Sequence, residues 1–231
     1  MKIRFPSANI SALLLSTALI IAVALPVQGQ TADSYVPALR ASDGADLGIA
    51  LVNPTLTEAK VTLTARSYSG AIIQSDGITN PVTLTLAASG QIALRAPELF
   101  GTGISGQAGW VQISASTPAV KGFFLAFDSG LTFIDGAEFA RPASRLVFPK
   151  VSAAGDSPTE LSLVNTASQD MQGTLSLYRN DGQLFATRRI LIPALSGFTS
   201  SIDELAPSAT DFEGYAVVDW DSAPTPACPR V

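Results

Sequence analysis

Among 231 residues there is no histidine. Imidazole is the usual base for a serine or cysteine nucleophile and a common ligand of zinc and copper. Its absence excludes Ser-His-Asp and Cys-His catalysis, and nearly all His-based metal centres, in one step. Ser105, within Gly103-Ile104-Ser105-Gly106-Gln107, begins like a nucleophile elbow but lacks the final glycine and any base, so it reads as a Gly/Ser loop. Residues 101–106 (GTGISG) are no phosphate cradle either, since no Lys-Ser/Thr follows and no helix is expected to start there. Carboxylates remain, and a pair of them can hydrolyse a glycoside. Glu98 and Glu204, however, recur in equivalent Glu-Leu contexts, as a structural residue at a crossover would. Asp203, Glu204, Asp211, Glu213, Asp219 and Asp221 make the C-terminal region acidic without the spacing of a calcium loop. Asp43-Gly44-Ala45-Asp46 and Asp135-Gly136-Ala137-Glu138 read as turns. The chain is therefore read as no enzyme, with no cofactor and no metal.

Aromatic side chains are the other chemistry on offer, because an exposed ring can stack on a sugar. The ligand-binding candidates are Trp110, Tyr215 and Trp220. Trp110 and Tyr215 follow a glycine in matching strands, which suits a core aromatic packed between sheets. Trp220 has no aromatic counterpart, since Ala115 aligns with it, and it is the ring expected to be exposed.

What must position these residues is a duplicated unit. Residues 51–70 (LVNPTLTEAKVTLTARSYSG) align without a gap to residues 163–182 (LVNTASQDMQGTLSLYRNDG), an offset of 112. Leu51, Val52, Asn53, Thr62, Leu63 and Gly70 find identical residues in the second copy. Val61, Leu63 and Ala65 alternate with Lys60, Thr62, Thr64 and Arg66, the period-two pattern of a half-buried antiparallel strand. Asn53-Pro54 ends the preceding strand. Asp181-Gly182 predicts a hairpin whose two turn residues both have positive φ. Residues 71–73 and 183–185 are the expected return strands. Residues 82–86 then match 190–192, with the second copy about five residues shorter in a loop. Glu98-Leu99 and Glu204-Leu205 predict short helical turns crossing between sheets. About seven to nine strands per copy, with frequent turns and no sustained helical period, is sandwich spacing.

The expected organisation is a signal peptide (1–29), a short linker (30–34), a first β-sandwich repeat (35–145) and a second, C-terminally incomplete repeat (146–231). The first copy ends with the apolar run 120–127 (VKGFFLAF) and a shorter segment, 131–139. Nothing after Val218 corresponds to that run. A sandwich without it exposes core and an unpaired edge. Either the chain is a truncated product whose tail from about Thr225 is out of register, or a partner's strand fills the gap. Pro224, Pro226 and Pro229 favour the first alternative.

Lys2 and Arg4, the apolar stretch 12–25 and the break at Pro26 form an export signal with cleavage after Gly29. The stretch is shorter than the ~20 residues of a membrane span, and no cysteine follows it for lipid attachment. The protein is expected in the cell envelope or outside the cell, free of the membrane after cleavage. Cys228, the only cysteine, can make no bridge within the chain. Removing Lys2 and Arg4 leaves 12 basic against 19 acidic residues, a mild acidity that excludes nucleic acid as a partner.

The recurring V/F-P…LVN…TL…G…SG…EL…G-W/Y pattern, over about residues 35–221, resembles a tandem β-sandwich repeat of uncharacterised secreted bacterial proteins. More loosely it is similar to the immunoglobulin and fibronectin type III sandwiches, without their inter-sheet cysteine pair. The resemblance implies an all-β fold of two tandem Ig-like sandwiches and a surface or matrix module. The function expected is that of an exported structural or adhesion module, or else a carbohydrate-binding accessory module. Its partner would be an extracellular protein or a polysaccharide.

Overall fold

The computed structural model describes residues 31–40, 44–153, 159–208 and 211–221. The expected signal peptide, Cys228 and the tail around Thr225 lie outside them. The architecture is all-β, built from four antiparallel sheets.

The N-terminal half contains β1 (Ala32–Arg40), β2 (Ala45–Val52), β3 (Ala59–Arg66), β4 (Val82–Leu86) and β5 (Gln91–Arg95). A short helix, α1 (Ala96–Phe100), leads to β6 (Ala108–Ala115), β7 (Lys121–Asp128) and β8 (Ile134–Glu138). Two sheets result, in the orders β1-β6-β3-β4 and β5-β2-β7-β8. The alternation in β3 works as expected: Val61, Leu63 and Ala65 are fully buried and meet Leu47, Ile49, Leu51 and Phe124 from the facing sheet. The C-terminal half contains β9 (Arg145–Ser152), β10 (Glu160–Val164), β11 (Met171–Arg179), β12 (Leu184–Ile192) and β13 (Gly197–Ser201). After these come α2 (Ile202–Leu205) and β14 (Glu213–Trp220). Its sheets are β12-β11-β14-β9 and the two-stranded β10-β13. Leu175 and Leu177 of the larger sheet pack on Leu161 and Leu163 of the smaller one in a separate core cluster.

Several expectations need correction. Ala32, Asp33 and Ser34 are not linker but the start of β1, held by pairing with Ala115, Ser114 and Ile113. Asp135, Gly136, Ala137 and Glu138 are not a turn; they lie in β8 along β7. Asp181 has no positive φ, and only Gly182 (φ 85°) is left-handed. Gly182 N–H donates to the Arg179 carbonyl at 2.9 Å and Arg179 N–H to that of Gln183 at 2.9 Å, closing a three-residue loop with a glycine bulge rather than a two-residue hairpin. Residues 71–73 form no strand, only an isolated Arg66–Ile72 bridge, whereas β12 runs unbroken through 184–192. The reason is Asn80. Its side chain bonds the Ala65 N–H, the Ala65 carbonyl and the Ile73 carbonyl, taking the ladder positions a return strand would use.

Candidate functional site

The repeated residues come first, because duplication kept them. Asn53 is fully buried at the end of β2. Its Nδ2 donates to the carbonyls of Thr57 (2.7 Å), Leu86 (3.3 Å) and Ala87 (3.0 Å), and its Oδ1 accepts from the Thr55 N–H (3.1 Å). Asn165, equally buried, repeats the set: the carbonyls of Gln169 (2.7 Å), Ile192 (3.0 Å) and Pro193 (3.0 Å), and the N–H of Ala167 (2.9 Å). One side chain in each half therefore ties the loop after one strand to the corner of the next sheet. Such a buried amide is stable only because nearly all its bonding capacity is used. Glu98 and Glu204 are equivalent too. Each occupies N3 of its short helix and accepts the N–H of the capping residue, Arg95 or Ser201. These two carboxylates are caps, one per half, and they are not brought together.

Three of the other acidic residues of the C-terminal region have basic partners. Asp219 meets Arg145 at 3.3 Å, Glu213 meets Lys150 at 3.8 Å, and Asp221 meets Arg189. The Arg189 bond holds the Asp221 carboxyl below its ordinary range. Ser105 follows a single 3-10 turn over Thr102–Ile104, in which Ile104 is buried in the core.

The three aromatic candidates have three different surroundings. Trp110 is completely buried, yet it is not packed between its own two sheets. Val111, Ile113 and Ala115 take the inner face of β6, so alternation puts Trp110 on the outer face. There its ring lies 6.1 Å from that of Tyr35, and the Arg66 guanidinium sits 5.7 Å from its centre. Neither Trp110 Nε1 nor Arg66 Nε has a hydrogen-bond partner among the described residues. Tyr35 is almost wholly buried. Its phenol is pushed up to about 12, chiefly by burial and then by the charge of Asp33, against a hydrogen bond with Thr166 and the opposing charge of Arg66. Burial likewise lowers the Arg66 guanidinium. Tyr215 is half-exposed and stacks on Tyr178 of β11 at 5.0 Å with 9° between the planes. Trp220 is half-buried. It leans over Gly173, where a Cβ would come within 2.6 Å of its ring, and packs on the C-terminal core.

The face that hides Trp110 is also where the halves meet, something no periodicity announced. Tyr68 accepts the Gly197 N–H at its carbonyl (2.9 Å) and bonds Thr199 Oγ1 through its hydroxyl (2.7 Å). Arg40 and Glu160 form an ion pair across the same joint.

One strand is paired differently in the two halves. In the N-terminal half β2 lies between β5 and β7; its counterpart β10 pairs only with β13 among the described residues. Beside β10 is an apolar cavity of about 170 Å³ lined by Leu146, Phe148, Leu163, Val164, Met171 and Trp220 together with Tyr35 and Pro37. A groove of about 510 Å³ runs between Glu160 and Ser162 of β10 and the residues Ala38, Arg40, Phe124 and Phe133, with β1 lying alongside β10.

Comparison of the chain with models of protein families, with curated proteins and with solved structures finds no match.

Proposed function

We propose that the protein is an exported, non-enzymatic structural or adhesion module made of two tandem Ig-like β-sandwich repeats, carried to the cell envelope by residues 1–29. The observation that supports this most is the use made of the duplicated polar residues. Asn53, Asn165, Glu98 and Glu204 are all engaged in holding turns and helix starts, chiefly through hydrogen bonds with the backbone. A duplication that preserves turn chemistry preserves a scaffold. The test is a hydrolysis screen of purified protein against glycan and peptide libraries. No turnover above a heat-denatured control is expected, and reproducible turnover would overturn the reading.

A second reading, a carbohydrate-binding accessory module, draws on the half-exposed Tyr178–Tyr215 pair. Complete burial removes Trp110 from that reading. Each tyrosine already has one ring face against the other, which leaves less stacking surface than two separate rings would offer. Retention on a polysaccharide affinity gel that Tyr215→Ala abolishes would favour it.

A further inference from the structure

We infer that the apolar cavity at the joint of the two halves binds a medium-chain carboxylate, which buries its alkyl tail there and pairs its anionic head with Arg141.

The walls come from both halves. Tyr35 of β1 closes one side, and Leu146, Phe148, Leu163, Met171 and Trp220 supply much of the rest. Leu163 and Met171 are buried, whereas Leu146, Phe148 and Trp220 are only half-buried, so apolar surface remains for a ligand to cover. The volume of about 170 Å³ is close to that of apolar cavities that admit a benzene-sized molecule and hold water poorly. The hydroxyls of the lining already have protein partners. Tyr35 is hydrogen-bonded to Thr166, and Ser162 Oγ lies 2.8 Å from Thr199 Oγ1. The interior therefore offers little to a polar ligand and much to an alkyl chain.

The mouth is a strap fixed at both ends. Residues 140–144, in the connection from β8 to β9, are exposed and tied to both halves. Ala140 exchanges backbone bonds with Tyr35 (2.8 and 2.9 Å), and the Ser144 carbonyl accepts the Trp220 N–H (3.0 Å). Pro142 stiffens the backbone between these anchors. The opening is thus largely pre-formed, and little freedom is lost in ordering it around a ligand.

The strap also carries the charge. Arg141 is the one charged residue of the lining. It has no ion pair or hydrogen bond among the described residues, in contrast to Arg40, Arg95, Arg145 and Arg189. An unpaired guanidinium at the rim of an apolar cavity favours an anionic head on an apolar tail, and its forked donors match a carboxylate. The cavity includes neither Tyr178 nor Tyr215 and asks for no catalysis, so screens for hydrolysis or sugar binding leave the inference unaffected.

The test titrates the full chain with octanoate and follows side-chain methyl signals by NMR. Saturable one-to-one shifts are expected at Leu163, Val164 and Met171, with Leu47 and Leu63 of the N-terminal core unmoved. From butanoate to octanoate, affinity should rise by up to about fourfold per methylene. Arg141→Gln should weaken octanoate roughly fivefold and leave octanol unchanged. Ala143→Phe, which fills the mouth from an exposed position, should abolish both. Should that variant fold poorly, the chain-length series on the wild type decides the same point, since a flat series denies that the tail is buried. The proposal is overturned by a flat series, by absence of saturable shifts, or by shifts centred on other residues. It is overturned as well by octanoate binding that a folded Ala143→Phe variant retains. Octanoate affinity indifferent to Arg141→Gln overturns it too, because a neutral apolar ligand would then fit the site equally well.

Discussion

Among the described residues, the two halves solve the same packing problem with different numbers of strands. In the N-terminal half, β2 is a central strand, enclosed by β5 and β7, and the facing sheet closes over a core that includes Phe124. In the C-terminal half, β10 is an edge strand and the larger sheet faces a two-stranded partner. Side chains have changed to match. The cross-strand pair Val61–Ala115 becomes Gly173–Trp220, a transfer of bulk from one strand to its neighbour. Trp220 leans over Gly173 into the region that β7 helps to close in the other half, and Phe148 stands where Val36 does. Larger apolar residues thus cover part of the space, while β10 has strand pairing on one edge only among the described residues. A core can be patched by side-chain volume; a hydrogen-bonding edge can be closed only by another backbone.

The equivalence of the halves can be broken most strongly at the buried amides. Asn53→Ala and Asn165→Ala should each cost roughly 3 kcal/mol, since each leaves several carbonyls without their donor. Urea denaturation should give closely similar losses, and a large difference would mean that the two corners are not equivalent. Next comes the loop glycine. Gly70 (φ 89°) abuts the other half, and a Cβ there would lie 2.7 Å from the Leu195 carbonyl oxygen. Gly182 (φ 85°) has open space around it. Gly182→Ala should cost about 1 kcal/mol for the left-handed backbone alone, and Gly70→Ala about 2–3 kcal/mol because strain and a clash combine. Equal melting temperatures for the two variants would deny the contact between halves.

The joint has a pH signature as well. The fold favours the neutral phenol of Tyr35, whose value is raised from 10 to about 12 by burial first and Asp33 second. The stabilisation is therefore complete below the unfolded value and is lost as pH rises through the folded one. Circular dichroism of the wild type should show stability declining between about pH 10 and 12, with the decline reduced in Tyr35→Phe. An unchanged alkaline profile in that variant would remove Tyr35 from the joint. The smallest effect is expected at Tyr68→Phe, about 1 kcal/mol or less, because Thr199 keeps its 2.8 Å bond to Ser162. A double-mutant cycle with Thr199→Val should show coupling between the two positions, and strict additivity would exclude the hydrogen bond.

Much of this architecture was legible before folding. The β3 alternation, the Asn turns and the short Glu-Leu helical turns are local patterns whose physics spans only a few residues, so they read the same in both copies. Where local signals misled, a distant residue was responsible: Asn80 displaced the return strand at 71–73, and pairing with β6 drew Ala32–Ser34 out of the expected linker. What only the tertiary structure decided is which sheet faces are covered and by what. Trp110 and Tyr215 are equivalent in sequence, yet one is sealed beside Tyr35 and Arg66 and the other lies half-exposed on Tyr178. Period two tells which residues share a face; burial of that face depends on what docks over it. The same holds for β10, whose sequence marks it as a strand while its neighbours, β13 in the ladder and β1 alongside, are set by the tertiary structure.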